Sequence, residues 1–548
     1  MRIYSYASGG FEGDLVTVEV DLRRGIPGMD IVGLPDNAVK ESRERVRASV
    51  RNSGFGVPRE RALINLAPAG VKKVGASFDL PIATALLIAS GQIEYADRIP
   101  WTVLILGELE LSGTVRPVHG VLAAVASAVE AEIDYCIVPF ENAREAAAVG
   151  EGRVLPISHL KETVEIFTLL MHGRKAKVQE KAAAQSKVIP QFECTSTENR
   201  RYKLDFADVL GQEQLKRACE IAAAGGHHML MFGPPGVGKT MAALRFVNLL
   251  PHLGREESIE VTRIYSIGGI LPENTGLIRR PPLRTPHHTA SREGLIGGGS
   301  HIVPGEISYA HNGVLFLDEA LEFSTSLLQS LREPLERGII EIARSGMHYW
   351  FPARFQLLLA ANPCPCGKLG CPDAVCMCTP VEIHRYWKKL GAALMDRIDI
   401  RIPVERQGPV IFNRSEKIDI QEENRREALQ SVKNTRQMSK QIARAIQIQR
   451  ERFSRRSGSL VDRQLCRRNA DMNTAHIQKY CSLSQQTSLE LKNAVIQLGL
   501  STRAEYSVLK IARTIADIEQ SDSIRNEHLL EAVHYRRFAE GDYFWSAA

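Results

Sequence analysis

A short glycine-rich stretch follows the apolar run that ends at Phe232. Its residues, GPPGVGKT, are Gly233, Pro234, Pro235, Gly236, Val237, Gly238, Lys239 and Thr240. An apolar strand, a tight glycine loop and a following helix turn successive backbone N–H groups toward one point, which suits an anion. Lys239 adds a positive charge for the outer phosphates, and Thr240 adds a hydroxyl ligand for Mg²⁺. The stretch therefore predicts a phosphate-binding loop (P-loop) for ATP and Mg²⁺.

Two further apolar runs end in polar side chains that would complete such a site. The run 313–317 ends in Asp318 and Glu319, and the run 356–361 ends in Asn362. Asp318 would hold the magnesium shell, and Glu319 would activate the attacking water as a general base. The amide of Asn362 can hydrogen-bond both the γ-phosphate and that water. We therefore expect hydrolysis of ATP as well as binding.

Length and composition set the broad class of the protein. A chain of 548 residues is too long for one core and suggests about three or four domains. Its hydrophobic share of 44% and charged share of 24% are ordinary for a globular protein, and a net charge of +6 is too mild to establish a nucleic-acid partner. No apolar run approaches the roughly eighteen residues that span a bilayer, and the first residues lack the layout of a signal peptide. We therefore predict a cytoplasmic protein without a membrane partner.

Periodicity and composition divide the chain into four regions, and the fold class they predict is α/β. Residues 1–171 mix strand-like and helix-like patterns and are expected to form an N-terminal α/β domain. Residues 172–203 are polar and irregular, as a linker is. Residues 204–405 contain the phosphate loop and its acids. Residues 406–548 predict a charged helical segment followed by a compact helical lid.

The first region resembles the proteolytic domain of Lon, which cuts peptides with a serine–lysine pair. Ser77 sits where Lon carries its nucleophile, but Leu122 occupies the position expected for the Lon lysine. A serine needs an adjacent base to be activated, and an aliphatic side chain cannot serve as one. We therefore expect Ser77 to be a turn or helix-capping residue, and the domain to be a scaffold or binding module. A Lon-like protease is the least favoured function.

Three long segments carry a closer resemblance: 280–319, 352–367 and 509–519. They are similar to the YifB/ComM family of magnesium-chelatase-like AAA+ ATPases, and the resemblance extends over nearly the whole chain. It implies a P-loop AAA+ core, preceded by the Lon-protease-like α/β domain and followed by a helical C-terminal lid. It also implies an ATP-driven hexameric motor on single-stranded or branched DNA, such as a branch-migration helicase in recombination or natural transformation. The alternative is a magnesium-chelatase-like ATPase that remodels a protein partner.

The resemblance also assigns roles to residues outside the phosphate loop. Residues 205–212 would lie against the adenine, and Asn362 takes the position called sensor 1. Arg397 corresponds to the arginine finger, which faces the nucleotide of the neighbouring subunit and neutralises charge in the transition state. Arg503, which opens a helix of the lid, corresponds to the second sensor arginine. Hydrolysis would then need two adjacent subunits of a ring.

Contacts with DNA are predicted at a β-hairpin. Residues 338–352 alternate around a central Ser-Gly pair, as the two strands of a hairpin do. Its tip carries Arg344 and His348, and in related AAA+ proteins such a hairpin lines the central pore. Basic residues there would contact phosphates without reading the base sequence. Arg284, in a stretch rich in glycine and proline, is a further candidate, and an ordinary surface hairpin is the alternative.

Five of the ten cysteines lie between residues 364 and 378. In a reducing compartment, such a cluster indicates a metal before it indicates disulfides. Two Cys-x-Cys pairs are formed by Cys364, Cys366, Cys376 and Cys378. They could place four thiolates around a tetrahedral Zn²⁺ ion, which would be structural because no coordination position stays open. The fifth cysteine, Cys371, leaves the choice of four open, and reduced thiols without a metal are the alternative.

Overall fold

The structure is a computed structural model that describes most of the chain. The described residues are 2–93, 101–150, 152–171, 204–272, 275–299, 302–344, 347–371, 374–406, 434–454 and 466–536. The predicted linker, 172–203, lies outside these ranges, as do residues 407–433 of the predicted charged segment. Among the described helices, none combines the length and apolar character needed to cross a bilayer.

A mixed sheet forms the centre of the N-terminal region. The strands of this region are β1 Arg2–Gly9, β2 Glu12–Arg23, β3 Gly28–Val32, β4 Arg61–Ala67, β5 Thr102–Ile105, β6 Glu108–Leu109, β7 Val115–Arg116, β8 Tyr135–Pro139 and β9 Val154–Ile157. Seven of them form one sheet in the order β3-β4-β2-β1-β5-β8-β9, while β6 pairs with β7. In β2, Val16 and Val18 are buried between more exposed neighbours, as the period-two pattern predicts.

Five helices accompany this sheet. They are α1 Asn37–Asn52, α2 Asp79–Ala89, α3 Val121–Glu130, α4 Ala143–Ala147 and α5 Leu160–Met171. Helix α2 is buried along nearly its whole length, which explains why its sequence is apolar on every face. Ser77 lies in a single 3-10 turn ahead of α2, and Leu122 is fully buried in α3. The region therefore has the expected α/β fold, and Leu122 is an aliphatic residue of its core.

A parallel sheet forms the centre of the second region. The strands of this region are β10 Met229–Phe232, β11 Leu283–Arg284, β12 Gly297–Gly298, β13 Val303–Pro304, β14 Val314–Leu317, β15 Ile339–Arg344, β16 Met347–Pro352, β17 Gln356–Ala361 and β18 Ile400–Pro403. The main sheet has the order β11-β14-β17-β10-β18, and all its neighbouring strands are parallel. Every residue of β10, β14 and β17 is buried, as in a parallel sheet covered on both faces.

The lid helices share a hydrophobic core with one face of the main sheet and with the first two helices of the second region. Those of the second region are α6 Glu213–Gly225, α7 Lys239–Phe246, α8 Arg255–Ile267, α9 Arg292–Ile296, α10 Glu306–Tyr309, α11 Thr325–Ser330, α12 Arg332–Arg337, α13 Pro380–Trp387 and α14 Gly391–Met395. Those of the lid are α15 Thr435–Ser454, α16 Thr474–Tyr480, α17 Gln485–Leu498, α18 Thr502–Ile518 and α19 Asn526–Arg536. Helix α18 packs on α6, so that Ile511 and Ile515 join Leu215 and Ile221 in that core.

The turn between β1 and β2 makes one of the contacts between the N-terminal region and the second region. The backbone N–H of Phe11 donates to the carbonyl of Trp350 at 2.9 Å, and the two rings lie 5.1 Å apart. The guanidinium of Arg263 lies 4.6 Å from the centre of the Phe11 ring. Gly10 has a φ of +75°, and a Cβ there would lie 3.1 Å from the Trp350 carbonyl oxygen, so the contact requires glycine. The base of the β15–β16 hairpin is thereby attached to the N-terminal region.

Candidate functional site

Parallel strands bring the predicted nucleotide-binding residues to one edge of the main sheet. The P-loop follows β10, Asp318 follows β14, and Asn362 follows β17. Strand β17 lies between the other two, and all three run in the same direction. The carboxyl ends of parallel strands meet at the same edge, which is where ligands bind in open α/β sheets.

The P-loop leads directly into helix α7. Gly238 is the residue before the helix and has a φ of +97°, a left-handed conformation that glycine adopts without strain. The first N–H groups of a helix have no partner within it and attract anions. Gln212 fastens the loop from the other side, because its side-chain amide donates to the carbonyls of Val237 at 3.3 Å and Glu405 at 2.7 Å. It ends the segment predicted to lie against the adenine.

Lys239 is almost completely buried inside the loop, with 7% of its surface exposed. Its ammonium donates to the carbonyls of Gly233 and Pro234, the latter at 2.8 Å, and lies 3.4 Å from Oδ1 of Asn362. Burial lowers the pKa of Lys239 to about 8, although the nearby carboxylates of Asp318 and Glu319 oppose that change. A buried cation among neutral oxygens gains from a bound anion, which fits the phosphates of a nucleotide.

Hard oxygen donors for Mg²⁺ lie together beside Lys239. The hydroxyl of Thr240 donates to Oδ2 of Asp318 at 2.8 Å, and the backbone N–H of Glu319 donates to Oδ1 of the same carboxylate at 2.9 Å. Hydroxyl and carboxylate oxygens are the ligands that Mg²⁺ prefers. Glu319 has a φ of +48° and an exposed side chain. Such a backbone conformation costs free energy and is typical of functional sites.

The two predicted arginines lie together, but at a different place. Both Arg397 and Arg503 form ion pairs with Glu336, the second at 3.7 Å. Arg397 is largely buried, whereas about half of the Arg503 side chain is exposed. Burial lowers the pKa of Arg397, and the positive charges of Arg503 and Arg332 add to that effect. Sequence reasoning did not find Glu336, which lies 61 residues before Arg397.

The arginine pair lines a cavity at the opposite edge of the main sheet. The cavity has a volume of about 640 Å³, and its lining includes His228, Gly313 and Gln356. These three residues stand at or just before the amino ends of β10, β14 and β17. A strand of four residues spans about 13 Å. The length of the strands therefore separates Arg397 and Arg503 from the P-loop of their own chain.

A buried network fixes the lid helix α18 near this cavity. Asp399 accepts hydrogen bonds from Nδ1 of His227 at 2.9 Å and from the hydroxyl of Ser507 at 2.6 Å. Nε2 of His227 lies 2.9 Å from the hydroxyl of Thr514. Burial alone would raise the pKa of Asp399, but the hydrogen bond and charge of His227 hold it below its usual range. The network orients the helix that carries Arg503, and no local sequence pattern indicated it.

The predicted DNA-binding residues differ in their surroundings. Arg344 and His348 are exposed on β15 and β16, where Ala343 pairs with His348. The hairpin tip, residues 345–346, lies outside the described part of the chain. Arg284 forms a two-pronged ion pair with Glu306, at 2.6 Å for both contacts. Its positive charge is thus already matched by a protein carboxylate, which weakens the expectation that it contacts DNA.

The cysteine cluster lies just after Asn362. The Sγ atoms of four cysteines lie within 4.8 Å of one another. These are Cys364, Cys366, Cys376 and Cys378. Cys371 is outside the group, and its thiol points to the carbonyl of Gly367 at 3.8 Å. Among the described residues, this is the one group of metal-binding side chains with that spacing.

The arrangement of strands defines the class of protein. The strand that carries the P-loop lies next to β17, the acid-bearing β14 lies beyond it, and a helical lid shares their core. This is the architecture of an AAA+ ATPase of the magnesium-chelatase type. Three family descriptions match the chain: "Magnesium chelatase, subunit ChlI" over residues 205–410, "Subunit ChlI of Mg-chelatase" over 18–142, and "Magnesium chelatase, subunit ChlI C-terminal" over 432–536.

Full-length relatives narrow the class to a family. The chain is 39% identical over 534 residues to protein YifB of Salmonella typhimurium, covering 97% of this chain and 96% of the relative. It is 37% identical over 538 residues to competence protein ComM of Haemophilus influenzae, covering 97% of each. A magnesium-chelatase 67 kDa subunit of Chlorobaculum parvum is 26% identical over 200 residues, which are 35% of this chain and 29% of the relative. The chain belongs to the YifB/ComM family of magnesium-chelatase-like AAA+ ATPases, a family that implies the use of a nucleotide and Mg²⁺.

Proposed function

We propose that this protein is a ring-forming ATPase that moves along or remodels DNA. The observation that carries the ring is the position of Arg397 and Arg503. They lie at the amino edge of the main sheet, whereas the P-loop lies at its carboxyl edge. An arginine that acts on a nucleotide from that position acts on the nucleotide of another subunit.

Within one subunit, the carboxyl edge would bind the nucleotide and prepare the water. The P-loop N–H groups and Lys239 would bind the phosphates, while Thr240 and Asp318 would hold Mg²⁺. Bound Mg²⁺–ATP supplies the phosphoryl group that the water attacks. Glu319 would accept a proton from that water, and Asn362 would orient it.

Between subunits, the arginine cavity of one chain would face the P-loop edge of the next. Such a contact joins two different surfaces, so repeating it produces a ring when the rotation closes. Arg397 would neutralise charge that develops in the transition state, and Arg503 would act beside it from the lid. Glu336 would hold both guanidinium groups in place until the neighbouring nucleotide takes over as their anion. The resemblance to the family favours six subunits.

DNA is the proposed substrate because the β15–β16 hairpin offers exposed cations beside aromatic side chains. Arg344 and His348 are exposed near its outer end, and Tyr349 follows them toward the base. Cations bind phosphates without reading sequence, and an aromatic ring can stack on a base. The name of the relative ComM connects that protein with competence, which agrees with a role for this chain in recombination or DNA uptake.

We expect DNA to stimulate the ATPase, and Arg344→Ala to weaken that stimulation. Single-stranded or forked DNA should raise the rate at low salt, with a smaller effect as salt increases, because phosphate contacts release counterions. Arg344→Ala should reduce the DNA-stimulated rate more than the rate without DNA. The plot of log affinity against log salt falls as salt rises, and Arg344→Ala should make its slope less steep by about 1. Steady-state ATPase assays and fluorescence-anisotropy titrations measure these quantities.

Arg444→Ala provides a matched control for this experiment. Arg444 is also an exposed arginine, but it lies on the lid helix α15, and its loss should leave the DNA response unchanged. Equal losses in the two variants would contradict the role of the hairpin. Failure of every DNA form to stimulate hydrolysis at low salt would contradict the DNA substrate. That result would favour a protein partner, as the matches to magnesium-chelatase subunits suggest.

A further inference from the structure

Four thiol sulfurs converge beside the nucleotide site. The Sγ atoms of Cys364 and Cys366 lie 3.4 Å apart, and each lies 3.6 Å from that of Cys376. Cys378 completes the group. Four thiolates around one Zn²⁺ ion at about 2.3 Å stand about 3.8 Å apart, so the group needs only small adjustments to bind it. A disulfide needs a sulfur–sulfur distance of about 2.05 Å, far less than any of these three separations.

The loop that carries these thiols touches the core at Cys364, and Leu369, Cys376 and Cys378 pack against the same cluster. Between β17 and α13, the described residues 362–371 and 374–379 form no helix or strand. Val375 and Met377 are 77% and 84% exposed, so they add nothing to a core. Loops of this length without secondary structure are uncommon, and a structural zinc ion supplies the folding free energy that such a segment lacks.

The first half of the loop contacts the ATPase site directly. Asn362, the candidate sensor, lies two residues before Cys364. The backbone then turns so that the N–H of Gly367 donates to the carbonyl of Cys364 at 3.0 Å. Gly367 packs against the P-loop, where an added Cβ would lie 3.4 Å from Cδ of Pro235. The loop that carries the thiols therefore passes close to the P-loop at Gly367, with room for no more than one added carbon atom between them.

The second half of the loop returns to the same site through helix α13. Thr379 follows Cys378 and caps that helix. At the other end of the helix, the indole N–H of Trp387 donates to the carbonyl of Pro363 at 3.1 Å. The Trp387 ring also lies 5.9 Å from that of Phe232, the residue before the P-loop, in an edge-to-face contact. A metal ion bound by the four thiols would thus fix both parts of the protein that flank the proposed nucleotide site, namely Asn362 and the start of the P-loop.

We propose that these four cysteines bind a structural Zn²⁺ ion, which holds the loop against Pro235 and keeps Asn362 positioned for hydrolysis. The part concerning Asn362 rests on the proposed function, whereas metal binding does not. Cys371 is excluded as a ligand, because its thiol points to the carbonyl of Gly367 instead of to the other sulfurs. The same loop therefore offers a matched control, Cys371→Ser.

Metal analysis of the full chain, purified without chelators, tests the ion and its ligands. We expect about one zinc ion per chain and no iron, with release of the zinc when a mercurial blocks the thiols of the wild-type protein. Cys376→Ser should lose the zinc, and Cys371→Ser should keep it. A wild-type chain without zinc, iron in its place, or equal zinc in the two variants would overturn the assignment.

ATPase kinetics test the positioning role. In Cys376→Ser, kcat should fall by about tenfold or more with a smaller change in nucleotide affinity, while Cys371→Ser should keep the wild-type kcat. If circular dichroism shows that Cys376→Ser is unfolded, a zinc-selective chelator in excess Mg²⁺ replaces it, and added zinc should restore the rate. An unchanged kcat after zinc loss would overturn the positioning role. A zinc-loaded wild-type chain that hydrolyses no ATP would contradict the proposed function and leave the metal site standing.

Discussion

An equimolar mixture of Lys239→Ala and Arg397→Ala chains should hydrolyse ATP, although neither variant should do so alone. Lys239→Ala removes the buried cation of the P-loop but leaves Arg397 at the other edge of the sheet. Arg397→Ala leaves the P-loop intact but removes the arginine offered to the neighbour, a loss that lowers kcat by about 10³-fold or more in comparable ATPases. A complete site forms where the P-loop comes from the second variant and the arginine from the first. With random mixing, that holds at about a quarter of the contacts in a ring.

The rate of the mixture therefore distinguishes a shared site from a self-contained one. We expect a rate that is a substantial fraction of the wild-type rate, up to about a quarter, measured by a coupled ATPase assay at saturating ATP. A mixture of Lys239→Ala and Lys239→Ala/Arg397→Ala serves as the control, because it contains no intact P-loop. A mixture as inactive as its separate components, despite exchange of subunits shown by fluorescence transfer, would contradict the trans arrangement.

The variant Glu319→Gln should bind ATP but scarcely hydrolyse it. The amide keeps the shape of the side chain but cannot accept the proton of the attacking water, and loss of a general base costs about 10²- to 10⁴-fold. Asp318, Thr240 and Lys239 remain, so the affinity for Mg²⁺–ATP should stay close to that of the wild type. Equilibrium binding of a fluorescent ATP analogue and single-turnover hydrolysis measure the two quantities.

Glu293→Gln is the matched control, because it makes the same chemical change at another exposed glutamate. Glu293 is exposed on helix α9, and its amide variant should keep the wild-type rate. Hydrolysis by Glu319→Gln at a comparable rate would exclude Glu319 as the base. A loss of ATP affinity as large as the loss of rate would instead assign Glu319 to binding.

The parts of the fold that sequence predicted are those with a strong local pattern. Residues 314–317 and 357–361 are uninterrupted apolar runs, and both lie in fully buried parallel strands. Strand β1, Arg2–Gly9, has no such signal, because its polar and small residues show no clear alternation. It pairs with β2 on one side and β5 on the other, and these long-range hydrogen bonds override its weak local preference.

The candidate site likewise has parts that local sequence patterns predicted and parts that depend on long-range contacts. The P-loop is one continuous segment of the sequence, and the acid pair is another. The chemistry of each follows from residue type and spacing. The pairing of Arg397 with Glu336 and the contact of His227 with Asp399 join residues far apart in the chain. For Arg284, the sequence suggested a DNA contact that the fold makes less favourable. Its glycine-rich surroundings gave no sign of the ion pair that it forms with Glu306.

The contact between Phe11 and Trp350 has a mechanical consequence. The hairpin that would grip DNA is anchored at its base to the N-terminal region by a hydrogen bond and a ring contact. A stroke of the hairpin must therefore either carry that whole region as a load or break the anchor. In the first case, if the proposed DNA motor is correct, each hydrolysis step would do work on two domains at once, and the N-terminal region would report the position of the DNA strand. A fluorophore on β1 would then follow the motor cycle at a distance from both nucleotide and DNA.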